Sequence, residues 1–244
     1  MESVLGPRRA LRALSLYGQF RSDLRAYRSL PGAEPIESAD LWPFLFDKTD
    51  TTPFDAQYFY QDSWAARRIL ATHPPYHVDV GSRVDFAGIL SAAMPIIFLD
   101  IRPLVVSLSN FRSVAGSILQ LPFADGGLPS LSCLHVIEHI GLGRYGDPFD
   151  PEGTKKAARE LGRVLAVGGS LFVGVPVGRE RVCFNAHRVH SPQTILRYFE
   201  DLTLVEFSCL VGEGIFHEGV DPYRTDLGKS ACGLFWFKKE RSRT

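Results

Sequence analysis

The chain has no surplus of charge: 27 lysines and arginines stand against 27 aspartates and glutamates. A nucleic-acid binder needs a basic surface to displace counterions from phosphates, so this balance argues against nucleic acid as a partner. Long apolar runs are missing too. Every hydrophobic stretch is of strand length, short of the ~18 residues that begin to suggest a membrane span. Cysteine is scarce, and Cys133, Cys183, Cys209 and Cys232 stand far apart with no CxxC pair, which excludes a zinc ribbon or a dithiol redox motif. Three of the four lie inside apolar runs and read as buried thiols. The N-terminus lacks the apolar core of a secretory signal, having an acid at position two and arginines throughout, so the expected location is cytoplasmic.

In the N-terminal stretch, Leu11, Leu14, Leu16, Phe20, Leu24 and Tyr27 recur at helical spacing beside Arg8, Arg9, Arg12, Arg21, Arg25 and Arg28. The favoured reading is a helix packed on its own domain. The other is a basic helix resting peripherally on an anionic membrane. Residues 31–75 are rich in proline and aromatics, and Asp62 or Ser63 is the expected cap of a helix running to about Leu70, stopped by His73-Pro74-Pro75. The reading divides the chain into an extension over 1–75 and a main domain over 76–244.

From Tyr76 onward, short apolar strands are expected at 77–80, 95–99, 113–115, 131–136, 170–175, 203–210 and 231–238. Helical patterns at 84–93, 152–166 and 191–200 separate them. This alternation defines an α/β fold, a mostly parallel seven-stranded sheet with helices on both faces, its last two strands forming an antiparallel edge hairpin. In such sheets ligands bind beyond the carboxyl ends of the strands. The first strand ends in Asp79-Val80-Gly81 and the second in Asp100, an interval of 21 residues, about one βαβ turn. Gly81 lets backbone approach a ligand, and an Asp100 carboxylate can accept both hydroxyls of a ribose.

The stretch LPFADG, the strand end HVIEH and the segment RVLAVGGSLFVGVP, in that order and spacing, resemble the Rossmann-like S-adenosylmethionine-dependent methyltransferases over about residues 76–240. More narrowly, EHIGLGRYGDPFDPEG and FNAHRVHSP are similar to the domain-of-unknown-function family 268. The resemblance implies S-adenosylmethionine as cofactor, with Asp79, Gly81, Arg83, Asp100, Ser117 and His135 around it. Two departures stand out. Ser82 and Arg83 replace the further glycines of the first loop, and Gly116-Ser117-Ile118 replaces an acid that often meets the adenine amino group. Arg83 can instead pair with the methionine carboxylate, and Ser117 offers one hydrogen bond.

His135 to His139 also matches HxxEH, in which two histidines on one helical face bind zinc. That motif needs a helix, whereas His135 closes a strand, so no metal is expected. In the loop from Gly141 to Gly153, Arg144 and Tyr145 are expected substrate contacts; Asp147 and Asp150 can help bind Mg²⁺ but read more readily as turn and cap residues. Asn185, His187, Arg188 and His190 crowd the stretch ahead of Ser191-Pro192, a helix cap with proline at the first position. His187 is the preferred general base, with His139 and Glu138 beside it, while Asn185, Arg188 and His190 are assigned to the acceptor. The expected activity is methyl transfer to a small polar or sugar-like acceptor, such as a glycan precursor. The alternative is a degenerate binding module that has lost its cofactor.

Overall fold

The structure is a computed structural model that describes residues 7–212 and 214–241. The chain divides into two compact units, Met1–Phe54 and Asp55–Thr244. In the first unit, helix α1 (Pro7–Arg28) opens on a proline, whose missing N–H costs nothing there, and is followed by a turn at Gly32 with φ of +82°. Arg28 Nη2 donates to the Ile36 carbonyl at 2.8 Å, holding the chain that leads to a 3-10 turn at Ser38–Asp40. No helix among the described residues is long and apolar enough to cross a membrane.

The second unit begins earlier than the boundary expected at residue 76. Helix α2 (Ala56–Ala71) is capped by Asp55, whose Oδ1 accepts the Tyr58 N–H at 3.2 Å, and not by Asp62 or Ser63. Its buried stripe of Gln61, Trp64, Ala65 and Ile69 packs on the sheet, so the helix belongs to the core. The aromatic run Tyr58 to Tyr60 hides the first turns of this helix from a propensity reading, because bulky rings lose rotamer freedom in a helix.

Strands β1 (His77–Val80), β2 (Ile96–Asp100), β3 (Phe111–Ala115), β4 (Leu128–Leu134) and β5 (Leu165–Gly178) pair in parallel. A two-stranded ribbon, β6 (Arg181–Cys183) and β7 (His187–Val189), follows β5. Then come β8 (Thr203–Val211), β9 (Ile215–His217) and β10 (Ser230–Lys238). The main sheet has the order β3-β2-β1-β4-β5-β10-β8-β9, with β10 antiparallel to both of its neighbours. The expected fold class holds with two changes. The short edge strand β9 makes the sheet eight-stranded, and β10 lies inside the sheet, so the pair β8 and β9 forms the edge.

Alternating side chains build two cores, one on each face. One gathers Val78, Val80, Leu131 and Val173 under helices α4 (Gly153–Val164) and α5 (Pro192–Tyr198). The other gathers Phe98, Phe172 and Leu234 under α2 and α3 (Val84–Leu90). As expected, Ser191 caps α5, its Oγ accepting the Thr194 N–H at 3.2 Å, with Pro192 at the first helical position.

Candidate active site

Strand order reverses between β1 and β4, and the crevice beyond their carboxyl ends is where ligands bind in such sheets. Gly81 follows β1 with φ of +67°, and a Cβ there would stand 3.3 Å from Val136 Cγ1 and 3.7 Å from Asp100 Oδ2. Asp100 ends β2 and spends Oδ1 on the Arg102 N–H at 2.7 Å, so Oδ2 is left facing Gly81. Beside it lies a narrow cavity of about 100 Å³ with apolar walls from Leu99, Ile118, Val136 and Ile140. Arg102 closes its rim by lying 4.9 Å from the centre of the Tyr145 ring.

A wider, polar cavity of about 610 Å³ adjoins it, and Gly81, His135, His139 and Tyr145 line both. His135 follows β4 in the left-handed region with φ of +57°, a costly conformation for a residue with a Cβ. Its Nδ1 meets Glu138 Oε1 at 2.8 Å, and its Nε2 meets Gln57 Nε2 at 3.2 Å and Cys232 Sγ at 3.3 Å. Burial alone would lower the His135 pKa, but the Cys232 sulfur and the Glu138 carboxylate raise it by more, and the net direction is up. Glu138 is fully buried; burial pushes its pKa up, yet His135 and then His139 hold it below the usual range. Its Oε2 has no hydrogen-bond partner among the described residues.

His139 Nδ1 lies 2.6 Å from the Ala186 carbonyl, to which Arg144 Nη1 also donates at 3.2 Å. The carbonyl can only accept, so Nδ1 of His139 carries a proton, and Nε2 stands 3.7 Å from Glu138 Oε1. His187 stands edge-on to His139 with ring centres 6.5 Å apart, and burial holds its pKa below the ordinary histidine value. The side chains of Glu138, His139, Arg144, Tyr145 and His187 therefore converge on one cavity, as do Gly81, Arg83 and His135.

Other expected site residues lie elsewhere. Asp79 is fully buried and lines neither cavity. It accepts the Ser82 N–H at 3.0 Å and the Ser132 hydroxyl, and so ties the loop after β1 to β4. Ser117 is exposed, its Oγ accepting the Leu119 N–H at 3.2 Å, while its neighbours Gly116 and Ile118 line the narrow cavity. Asn185 is exposed at the ribbon tip. Arg188 is buried and donates to the carbonyls of Ile140 and Asp150, and His190 packs edge-on against Tyr198 at 5.6 Å. Strand alternation explains the split: in β7, His187 and Arg188 point to opposite sides. Asp147 accepts the Gly141 N–H at 2.6 Å and Asp150 the Glu152 N–H at 2.9 Å, so both carry turn and cap bonds. Among the described residues no three His, Cys, Asp or Glu side chains are grouped to hold a metal ion.

The sequence reading missed Gln57, Tyr58, Ser82 and Cys232, all in the wall of the wide cavity. Tyr58 carries the Arg83 guanidinium at 4.5 Å from its ring centre. The one legible hint was that Ser82 and Cys232 stand at strand ends on the ligand side of the sheet.

This architecture is that of the Rossmann-like methyltransferases, and solved structures of that class share it. NodS, an N-methyltransferase from Bradyrhizobium japonicum in complex with S-adenosyl-L-homocysteine, is 16% identical and superposes with a TM-score of 0.54 over 91% of this chain and 99% of its own. A putative sarcosine dimethylglycine methyltransferase from Galdieria sulphuraria gives 0.55 at 15% identity, covering 75% and 86%. The [4+2]-cyclase SpnF gives 0.53 at 14% identity, covering 73% and 80%, so one fold serves more than one reaction. Residues 127–206 match a family model described as Caenorhabditis protein of unknown function, DUF268. Both resemblances read from the sequence are thus borne out. No curated protein matches the chain.

Proposed function

We propose that the chain is an S-adenosylmethionine-dependent methyltransferase acting on a small polar or sugar-like acceptor, as in glycan synthesis. One observation carries this reading: a narrow apolar cavity beside a strand-end acid opens past Gly81 and His135 into a wide polar one. The first offers a nucleoside two contacts, the Oδ2 of Asp100 for ribose hydroxyls and the apolar walls of Leu99, Ile118 and Val136 for a base. Arg83, in the wall of the wide cavity, spends Nη2 on Asp85 at 2.6 Å, and its other guanidinium N–H groups are the donors offered to an amino-acid carboxylate.

When bound, the cofactor supplies a methyl group on a sulfonium. The residues of this chain place the acceptor and take its proton. Arg144 and Tyr145 hold the polar acceptor. His187 is the base, since its lowered pKa keeps an unprotonated nitrogen at neutral pH. His139, its proton fixed on Nδ1 by the Ala186 carbonyl, steadies the base from the side.

Calorimetry with S-adenosylhomocysteine tests the reading. Saturable heat is expected, and Asp100→Ala should weaken binding by about 1.5–3 kcal/mol, the size of a lost charge-assisted hydrogen bond. The second reading, a binding module without cofactor, is favoured by the side chains of Ser82 and Arg83 where further glycines would let backbone approach the ligand. Absence of any heat with the cofactor or its product would select it.

A further inference from the structure

Cys232 lies near the start of β10 with its side chain in the wall of the wide cavity, almost covered by its neighbours. Its Sγ is 3.3 Å from His135 Nε2, and the other nitrogen of that ring is 2.8 Å from Glu138 Oε1. Thiol, imidazole and carboxylate stand in line, the order in which a nucleophile, its base and the group that orients the base are found in acyl-transfer enzymes. Three further facts separate this from a chance contact. His135 is held in the left-handed region, which aims its ring across from β4 to β10. The carboxylate behind it is fully buried, with Oε2 unpartnered among the described residues, so its charge is directed at the imidazole. The Gln57 amide reaches the same ring nitrogen at 3.2 Å and supplies a side-chain donor beside the sulfur. A methyl transfer to a hydroxyl or amine has no use for this thiol.

We propose that Cys232 is the nucleophile of a second activity, acyl transfer from an activated ester or thioester, with His135 as its base and Glu138 as the positioning residue. His135 Nε2, whose affinity for a proton Cys232 and Glu138 raise, holds the thiol proton while the sulfur attacks the carbonyl carbon. A C–S bond forms, the carbonyl electron pair moves onto oxygen, and the Gln57 amide donates to that oxyanion. Collapse breaks the bond to the leaving alcohol or thiol, which takes the proton from His135. Water, giving a proton to the same nitrogen, then attacks the thioester; the acid leaves and the thiol is restored. The net change is hydrolysis of one ester bond, and the step needs no methyl donor.

The probe is p-nitrophenyl acetate added to the full chain, followed by absorbance and by mass spectrometry of peptides. The expected result is a burst of nitrophenolate approaching one per chain, with the acetyl group on Cys232. Cys232→Ser should abolish the burst, and His135→Gln should slow acylation by at least about a hundredfold. Glu138→Gln should slow it by at least about tenfold and move the midpoint of the pH–rate profile to lower pH, because the imidazole loses the charge that favours its protonated form. A merely structural Glu138 would not move that midpoint. Acetylation confined to lysines or to the partly exposed Cys183, or an unchanged rate in His135→Gln, overturns the proposal. Should the variants fail to fold, iodoacetamide on the wild-type chain decides: Cys232 alkylated ahead of Cys183 at neutral pH supports it, and the reverse order overturns it.

Discussion

A histidine accepts a proton only while neutral, and burial keeps His187 neutral to lower pH than a free imidazole. His187→Ala should leave the affinity for S-adenosylhomocysteine nearly unchanged and depress turnover by at least about a hundredfold. In the wild type the rate should be level above neutrality and fall as acid protonates the ring, a limb that the variant lacks. Full turnover in the variant would remove His187 from the chemistry. A second residue-scale test concerns the buried pair beneath the first loop. Burial lowers the His77 pKa to about 3 and raises that of Asp79 to about 6, though hydrogen bonds from Ser132 and Ser82 oppose the latter. A histidine with a depressed pKa loses stability as pH falls through its unfolded value, since the unfolded chain takes the proton first. An acid with a raised pKa does the reverse, favouring the folded state as pH falls. Between about pH 4 and 6 the two slopes oppose each other, each about 1.4 kcal/mol per pH unit. Asp79→Asn leaves the histidine slope alone, so urea unfolding should show stability falling with acid over that window more steeply than in the wild type.

At the scale of elements, the loop from Ile140 to Gly153 is set by backbone contact. A Cβ on Gly141, whose φ is +81°, would stand 2.1 Å from the Asp150 carbonyl oxygen, whereas one on Gly162 inside α4 would meet nothing within 4 Å. Gly141→Ala should therefore lose more than about 2 kcal/mol in thermal or urea unfolding. Gly162→Ala should gain about 0.5–1 kcal/mol, by helix propensity alone. The same scale shows what was legible. The strand-length apolar runs of β1, β2, β4, β5, β8 and β10 declared themselves, and so did the strand-end residues Gly81 and Asp100. The three-residue strands β6, β7 and β9 did not, because so short a run carries no period. Without β7, a dense polar stretch could not be sorted into His187, which faces the cavity, and Arg188, which clamps the loop. Cys232 escaped for a related reason: its partner His135 is 97 residues away, and only the sheet brings them together.

At the scale of the molecule, the unit Asp55–Thr244 contains both cores and both cavities. Residues 55–244 expressed alone should unfold in one cooperative transition, by circular dichroism, and keep the cofactor affinity of the full chain. In the other unit, α1 exposes Leu11, Leu14 and Tyr17 alongside Arg12, Arg21 and Arg25, so apolar and basic side chains share its surface without separating into two faces. Such a helix should leave the full chain in the supernatant when it is sedimented with vesicles containing phosphatidylserine at physiological salt.

The interior position of β10 also bears on synthesis. A chain leaves the ribosome N-terminus first, and β8 has no seat beside β5 until β10 fills the place between them. Until residues 230–238 emerge, the 14-residue strand β5 presents a bare edge of Val, Leu and Phe, and β8 presents another. Such edges recruit strands from other chains. Nascent molecules on one messenger, or products of a premature stop that removes residues 230–238, would thus be the most aggregation-prone form of this protein. The wall of the wide cavity that carries Cys232 arrives with the same strand, so a half-made chain has the histidines of the site but not its thiol.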